Sequence, residues 1–471
     1  MTEHDAEAAN LRESDILTGP LPRVIFVLAL PVLLENFLGF LVGFYDVFLA
    51  GKLSEHATKA IGVASYVGWL ASLIFGLVGA GTTALVSRHY GARKFADANR
   101  FLNRSLALST VMGVGIAILF WLIAPLFARL VNMRGEAYEI AVRYLRYDAF
   151  GHFFLGFTYI AASALRGSGN MRLPMYVLGF MNLVNIIVSA ILVFGIGTNV
   201  GLGSEWIASR GVDGIVMGTV AAKICGASIM LICLLRGSGH LKIDFSEFRL
   251  RDELVARILR IGRLALLDGS IVWVGQFLFL MIISQLESSD TESTVFAAHV
   301  VGINVEAISF LPAFAWGIAA STAIGQSLGA GLPDRALQAG KTALKQCSIF
   351  MLFLTFVFFF GAETIYQFMS DQPRVHEVGV PAFRLLALFQ LPLAMSIIFS
   401  NSLRGAGDTR HPMIFSFIGV ILVRLPLAYL GGVVLDGGLI GAWVGMCADV
   451  LVKAILVSVY YLRGKWVETS V

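Results

Sequence analysis

The chain has 471 residues, of which 57% are hydrophobic and 14% are charged, and its formal net charge is +4. A mean hydropathy of +0.79 excludes an ordinary water-soluble domain, because too few polar residues are present to cover its surface. The small net charge gives no reason to expect a nucleic-acid partner. We therefore predict an integral membrane protein.

The amino-terminal segment, MTEHDAEAANLRESD, is polar and acidic and lacks the basic start of a signal peptide. We expect this terminus to remain in the cytoplasm. The four cysteines stand inside apolar segments without the spacing of metal ligands. We therefore predict neither a bound metal nor a disulfide framework.

Apolar runs between short polar breaks predict twelve transmembrane helices, since roughly 20 apolar residues are needed for each crossing. With both termini in the cytoplasm, most Lys and Arg residues fall in the inner segments, as is typical of multi-pass proteins of the cell (plasma or inner) membrane. The predicted helices are 23–50, 60–86, 105–128, 138–163, 174–197, 211–235, 258–284, 295–325, 342–368, 379–402, 412–434 and 439–462.

An internal repeat relates the two halves of the chain. The segment LRGSGNMRLPM at 165–175 matches LRGAGDTRHPM at 403–413, and GVDGIVMGTVA at 211–221 matches GLIGAWVGMCA at 438–448. Gly91-Ala92 matches Gly329-Ala330 in the same order along the chain. Several matches in one order indicate a duplication.

Six spans per repeat place both halves in the same orientation in the membrane. The fold class is therefore predicted to be all-α: twelve transmembrane helices in two parallel six-helix lobes, related by a pseudo-two-fold axis along the membrane normal. Such lobes enclose a cleft that can open to either side in turn. The predicted parts are a cytoplasmic tail (1–20), an N-terminal lobe (21–235), a cytoplasmic linker (236–257), a C-terminal lobe (258–463) and a second cytoplasmic tail (464–471).

Several motifs resemble those of the multidrug and toxic compound extrusion (MATE) family of prokaryotes. The resemblance implies an exporter of organic cations, driven by inward movement of protons or sodium ions, with no cofactor and no enzymatic activity. The motifs are LALPVLLENFLGFLVGFYDVFLAGKL, the two LRGxG turns, FLPAFAWGIAASTAIGQSLGAG, LVRLPLAYL and the terminal GKW.

The resemblance also implies roles for individual residues. Pro31 and Asp46 match the family's first-helix proline and acid, and Asn185 matches the fifth-helix asparagine that faces this acid. Ser189 stands where the prokaryotic pattern usually has a second carboxylate. Asp408, in the second LRGxG turn, matches an acid that some members use for cation binding. A sodium ion would need converging oxygens, which Asp46, Asn185 and Ser189 offer in part, so proton and sodium coupling both remain open.

Charges at membrane depth are costly and commonly functional. Asp46 is surrounded in sequence by apolar residues, and we predict that it couples transport to ion movement. Glu35 and Asp268 occupy matching positions in the two halves, where they either attract a cationic substrate or pair with Arg23 and Arg263.

Further ionisable residues lie in the predicted spans. Glu306 is predicted either to face a substrate cavity or to pair with an arginine. Asp148 and His152 are one helical turn apart, so they share a helix face and either relay a proton or form a local hydrogen bond. A structural charge cluster is predicted for Arg424, Asp449 and Lys453.

Other functions remain open at this point. A major-facilitator transporter also has two six-helix halves, and a flippase for lipid-linked molecules belongs to the same broad superfamily. A membrane enzyme would require clustered histidines and acids, whereas the histidines here are dispersed. The expected partners are a small organic cation and membrane lipids, with the protein itself a monomer.

Overall fold

The computed structural model describes residues 16–130, 133–195, 208–286 and 294–469, and within these ranges the chain forms helices and turns without a β-strand. Helices dominate because lipid offers the backbone no hydrogen-bond partner, so each N–H and C=O must be paired within its element. The first half contains α1 (Leu21–Leu53), α2 (Glu55–Gly91), α3 (Phe95–Leu130), α4 (Gly135–Gly167), α5 (Arg172–Phe194) and α6 (Val212–Arg236).

The second half repeats this arrangement with one broken helix. Within α12, two stretches, Phe417–Arg424 and Leu430–Val434, adopt wider π-helical turns. The helices are α7 (Glu253–Ser284), α8 (Thr294–Gly329), α9 (Pro333–Met369), α10 (Pro373–Ala387), α11 (Gln390–Gly405), α12 (Arg410–Val434) and α13 (Gly438–Leu462).

The described helices supply the predicted twelve crossings. Ten are long and apolar enough to span a membrane, and α10 with α11 forms an eleventh span that is bent by 54°. The twelfth is α4, which carries Glu136, Glu139 and Arg143 in its first half and packs against α3 and α6. The all-helical fold class with twelve spans is thereby confirmed.

The bend between α10 and α11 corrects the prediction of a single helix over 379–402. The chain leaves the helix at Leu388 and Phe389, whose N–H groups turn back to Leu385 and Leu386. Pro392 follows at the start of α11. Its ring has no N–H and crowds the carbonyl of Leu388 four residues earlier, which explains a break at this point.

Several helices begin about two and a half to three turns before their predicted starts. For example, α3 begins at Phe95 rather than at 105, and α9 begins at Pro333 rather than at 342. The added turns are amphipathic: Ala98 and Phe101 of α3 are fully buried while Arg100 faces solvent. An apolar run marks only the part of a helix within hydrocarbon, so these polar extensions were missed.

The chain divides into two compact units. We call the described residues of 34–90 and 94–260 the N-terminal unit, and those of 16–33, 91–93 and 261–469 the C-terminal unit. The predicted linker, 236–257, is grouped with the N-terminal unit. The division into lobes with the boundaries given above remains a prediction.

Within the N-terminal unit, the segment after α6 is held on the amino-terminal part of α3. The Asn103 side chain donates to the carbonyl of Lys242 at 3.1 Å and accepts from the N–H of Asp244 at 2.9 Å. Arg104 contacts Asp252 and Glu247, each at 2.9 Å. The Arg104 guanidinium holds the pKa of Asp252 below its usual value. The segment is therefore a docked part of this unit.

Candidate functional site

Asp46 is the central residue of a polar group in the N-terminal unit. Its Oδ1 atom is shielded from solvent and has no hydrogen-bond partner among the described residues. On α5, the Asn185 amide donates to Thr219 of α6 at 3.0 Å, while its own Oδ1 is likewise buried and without a partner. Tyr144 of α4 belongs to the apolar cluster that also contains Leu49 of α1 and Val216 of α6.

Ser189 is committed to helix packing. It is fully buried, and its hydroxyl donates to the carbonyl of Ile215 in α6 at 3.4 Å. A Cβ built on Gly218 would approach Ser189 Oγ to 2.2 Å, so the two helices meet at this point with only a glycine between them. The residue in the position of the expected second carboxylate is thus an α5–α6 contact.

A second group of charges lies beside Asp46. Lys223 Nζ, on α6, donates to Asp148 Oδ1 at 2.5 Å, and His152 Nε2 lies 3.2 Å from Asp148 Oδ2. All three side chains are nearly or fully buried. Both Lys223 and Asp148 act electrostatically on the Asp46 carboxylate. As predicted from their spacing, Asp148 and His152 share a face of α4, but Asp148 also pairs with a different helix.

Two residues of this region, Tyr144 and Thr219, were missed in the sequence, and the partner of Lys223 was not predicted. Lys223 was visible as an isolated ammonium in an apolar helix, and such a group needs an acidic partner, but its partner stands on a helix far away in the chain. Tyr144 and Thr219 gave no signal, because a hydroxyl at membrane depth is common and need not be functional.

In the C-terminal unit, Asp449 is the centre of an ion-pair cluster. It is fully buried on α13 and accepts from Arg424 Nε at 2.9 Å and Nη2 at 2.7 Å. Lys453 Nζ lies 3.6 Å from its second oxygen, and Arg424 also donates to Gln276 of α7 at 3.0 Å. These contacts link α7, α12 and α13.

Glu306 lies in the same unit on α8 and is almost completely buried. Arg424 acts on it electrostatically and donates hydrogen bonds to Asp449 and Gln276. The acid therefore belongs to the surroundings of the cluster rather than to its direct ion pair, and whether it also contacts substrate stays a prediction.

Glu35 and Asp268 pair with repeat-related arginines. Arg166 of the first LRGxG turn donates to Glu35, and Arg404 of the second donates to Asp268. The acids thus engage these two arginines, whereas the sequence suggested Arg23 and Arg263 as partners. Each pair ties the first helix of its half to the turn after the fourth span of that half.

Asp408 is held at the start of α12. Its carboxylate accepts from the backbone N–H of His411 at 3.2 Å and from the Tyr460 hydroxyl at 2.9 Å, and it lies 2.7 Å from His411 Nδ1. Its counterpart in the first half, Asn170, accepts from the N–H of Leu173 at 3.1 Å. Both residues therefore cap the helix that follows.

The described side chains include no group of three or more His, Cys, Asp or Glu arranged to hold a metal ion. The candidate site of the N-terminal unit consists instead of single buried groups around one carboxylate. In hydrocarbon, such a carboxylate oxygen must be satisfied by a proton, a bound cation or a charged substrate.

Comparison with known proteins gives one consistent result. The MatE family model matches the chain twice, over residues 31–191 and 265–430. The two matches cover corresponding spans of the two halves, in agreement with the internal repeat. The matched residues make up more than half of the chain.

Similar proteins match over almost their whole length. The Probable multidrug resistance protein NorM of Thermotoga maritima is 28% identical over 458 residues, covering 94% of this chain and 93% of that protein. The multidrug resistance protein PmpM of Pseudomonas aeruginosa is 25% identical over 460 residues, covering 93% and 91%. A solved multidrug resistance MATE family transporter in an outward-facing conformation has a TM-score of 0.87 at 20% identity, covering 97% of this chain and 98% of that one.

Proposed function

Since the chain belongs to the MatE family of multi-pass membrane transporters, we propose that it exports small organic cations by secondary active antiport. Because the chain belongs to this family, the major-facilitator and membrane-enzyme alternatives are set aside. The observation that carries the proposal is the Asp46 carboxylate, which lies on a helix long and apolar enough to span a membrane and has a shielded oxygen that no described residue satisfies.

The substrate class is inferred from charge and from the relatives. NorM of Thermotoga maritima and PmpM of Pseudomonas aeruginosa bear multidrug resistance names. A buried carboxylate favours a cation over an anion, because a cation supplies the charge that compensates its desolvation. We therefore propose amphipathic organic cations as substrates.

Coupling follows from competition for the same carboxylate. A proton or sodium ion that neutralises Asp46 removes the charge that attracts an organic cation, so binding of one disfavours binding of the other. If the protein opens to one side of the membrane at a time, this exchange moves the two in opposite directions. The Asn185 amide oxygen, also without a partner, is available to the same ion.

The cellular arrangement is part of the proposal. The positive-inside bias supports both termini in the cytoplasm, and the cell membrane is where export of a drug is useful to the cell. We propose a monomer surrounded by lipid, since each unit has its own buried apolar core. In the N-terminal unit this core includes Phe75, Phe120 and Val216; in the C-terminal unit it includes Phe279, Phe383 and Trp443.

The test is export of ethidium by purified protein in liposomes, measured under a proton gradient alone and under a sodium gradient alone. We expect at least one gradient to drive ethidium out of its loaded compartment, and an ionophore that collapses this gradient to abolish the movement. Equal movement with and without either gradient would contradict antiport. A lipid-linked substrate moving instead of ethidium would favour the flippase alternative.

A further inference from the structure

The buried ammonium of Lys223 is unusual for its position. It stands on α6 at membrane depth, with only about a tenth of its side chain exposed. Its stem lies along Gly151 of α4, where an added Cβ would come within 2.9 Å of Lys223 Cδ. The missing side chain at Gly151 therefore makes room for the lysine to reach Asp148.

This ammonium shares its surroundings with the Asp46 carboxylate. Tyr45 of α1, Ala149 of α4 and Val220 of α6 pack in one apolar cluster. These residues lie close to Asp46, Asp148 and Lys223 along the chain, so Lys223 attracts the Asp46 carboxylate and Asp148 repels it. The other titratable groups facing this region are Tyr45 on α1 and Tyr144 on α4, together with His152 beside Asp148. Among these groups, Lys223 carries the ammonium, which Asp148 holds in an ion pair.

A sodium ion at Asp46 would find few free oxygens. Hard cations need several oxygen ligands at once. Asp46 and Asn185 each have one buried oxygen that no described residue satisfies, but Ser189 Oγ is fully buried in the contact between α5 and Gly218 of α6. A sodium ion would also lie near the Lys223 ammonium, and like charges at low dielectric repel strongly. A proton differs, because it joins the carboxylate covalently and needs no ligand set.

We propose that Lys223 is a specificity-determining residue that excludes sodium from the Asp46 site and leaves the proton as the coupling ion. The ammonium, held by Asp148, supplies the positive charge that a metal ion would otherwise bring. This inference rests on the proposed antiport function, but it makes a statement about ion binding that is measured without transport.

The direct test is saturable binding of radioactive sodium to the purified full-length protein in detergent micelles. We expect no saturable binding to the wild type. Replacing the ammonium in Lys223→Gln should create a site with at least about tenfold higher sodium affinity, because the nearby repulsion is removed. That new binding should disappear in the double variant with Asp46→Asn.

Controls separate this effect from a general loss of structure. Lys223→Arg keeps the positive charge and should still exclude sodium. Lys453→Gln removes a comparably buried lysine next to an aspartate in the C-terminal unit, so it should leave sodium binding at the wild-type level. Since Lys223→Gln leaves Asp148 without its ion pair, the variant Lys223→Gln/Asp148→Asn, which removes both charges, is measured beside it.

Two results would overturn the proposal. One is saturable sodium binding to the wild type that depends on Asp46. The other is absence of sodium binding in both Lys223→Gln and Lys223→Gln/Asp148→Asn when thermal unfolding shows that either variant is folded. If ethidium export fails under every gradient while these binding results hold, the antiport function is wrong and the assignment of Lys223 survives.

Discussion

The two units contain buried charges arranged in different ways. In the C-terminal unit, Asp449 is enclosed by two contacts from Arg424 and by the nearby Lys453. In the N-terminal unit, Asp148 is similarly held by Lys223, but a second acid, Asp46, forms no salt bridge with a described residue. One oxygen of Asp46 and one of Asp449 lack a hydrogen bond among the described residues, but the Asp449 oxygen lies 3.6 Å from Lys453. The buried acid of the C-terminal unit is thus ion-paired, whereas the N-terminal unit contains a buried acid without an ion pair among the described residues.

The difference indicates a division of roles. The C-terminal cluster and the neighbouring Glu306 together contain two acids and two basic residues, so their formal charges balance without any external ion. In the N-terminal unit, Asp46 and Asp148 face one lysine, Lys223, with His152 beside Asp148, and a carboxylate is left to be neutralised. A balanced cluster is suited to hold helices together, whereas an unbalanced one takes up and releases a cation.

The largest expected effect comes from breaking the ion-pair cluster of Arg424, Asp449 and Lys453. Arg424→Met should lower the free energy of unfolding by about 3–5 kcal/mol, because it leaves the fully buried Asp449 without its main partner. Unfolding is measured by reaction of a thiol-specific dye with Cys347 and Cys447, which are buried in the folded protein.

A double variant refines that result. Arg424→Met/Asp449→Asn removes both charges and should recover part of the lost stability, because no uncompensated carboxylate remains. An unfolding midpoint for Arg424→Met equal to that of the wild type would mean that the cluster does not hold the C-terminal unit together.

A smaller effect is expected where the two units are alike. Arg166→Gln removes the partner of Glu35 in one unit, and Arg404→Gln removes the partner of Asp268 in the other. Because each acid is largely shielded from solvent, each variant should lower the free energy of unfolding by about 1–3 kcal/mol. The same dye reaction measures both variants. Loss of stability in only one of them would show that the repeat-related pairs are not equivalent despite their matching positions.

A still smaller effect is expected in the amino-terminal part of α3, where the ion pair is partly exposed. Asp252 is 28% exposed as a side chain, so Asp252→Asn should cost less than about 1 kcal/mol. Its pKa in the folded protein lies below the ordinary value of 3.8 because of Arg104. The contribution of Asp252 to the free energy of unfolding is therefore complete above that ordinary value. It is lost as the pH falls through the lower pKa of the folded protein.

This pH dependence is checked by comparing wild type and Asp252→Asn in unfolding measurements from pH 7 downward. The difference in the free energy of unfolding between the two proteins should shrink as acid protonates Asp252. The total change should be less than about 1 kcal/mol, as expected for a partly exposed ion pair. A difference that grew on acidification would mean that Arg104 does not stabilise the ionised form.

Much of the fold was readable from hydropathy and from the repeat. The apolar runs gave twelve crossings, and the matching LRGxG turns gave the two halves. The bend between α10 and α11 was missed, although Pro392 lay in the sequence, since membrane helices often accommodate a proline without breaking. The polar first turns of α3 and α9 were missed because an apolar run marks only the part of a helix that lies within the hydrocarbon of a membrane.

The site was less predictable because it depends on pairs distant in sequence. Asp148 and His152 were expected to share a face, since their spacing is local. The Lys223 contact with Asp148 joins α4 to α6, and the contact of Arg404 with Asp268 joins α11 to α7. The sequence identifies the charged residues in the predicted spans. Which oppositely charged residue each of them pairs with depends on how the helices pack, and this cannot be read from the sequence.

The role of Asp46 is tested most directly by Asp46→Asn, for which ethidium export in liposomes and thermal unfolding are measured on the same preparation. Export should be lost under every gradient that drives the wild type. The unfolding midpoint should be unchanged or slightly higher, because a buried charge without a hydrogen-bond partner at one oxygen has been removed. Export by Asp46→Asn at the wild-type rate would contradict the assignment of ion coupling to the N-terminal unit.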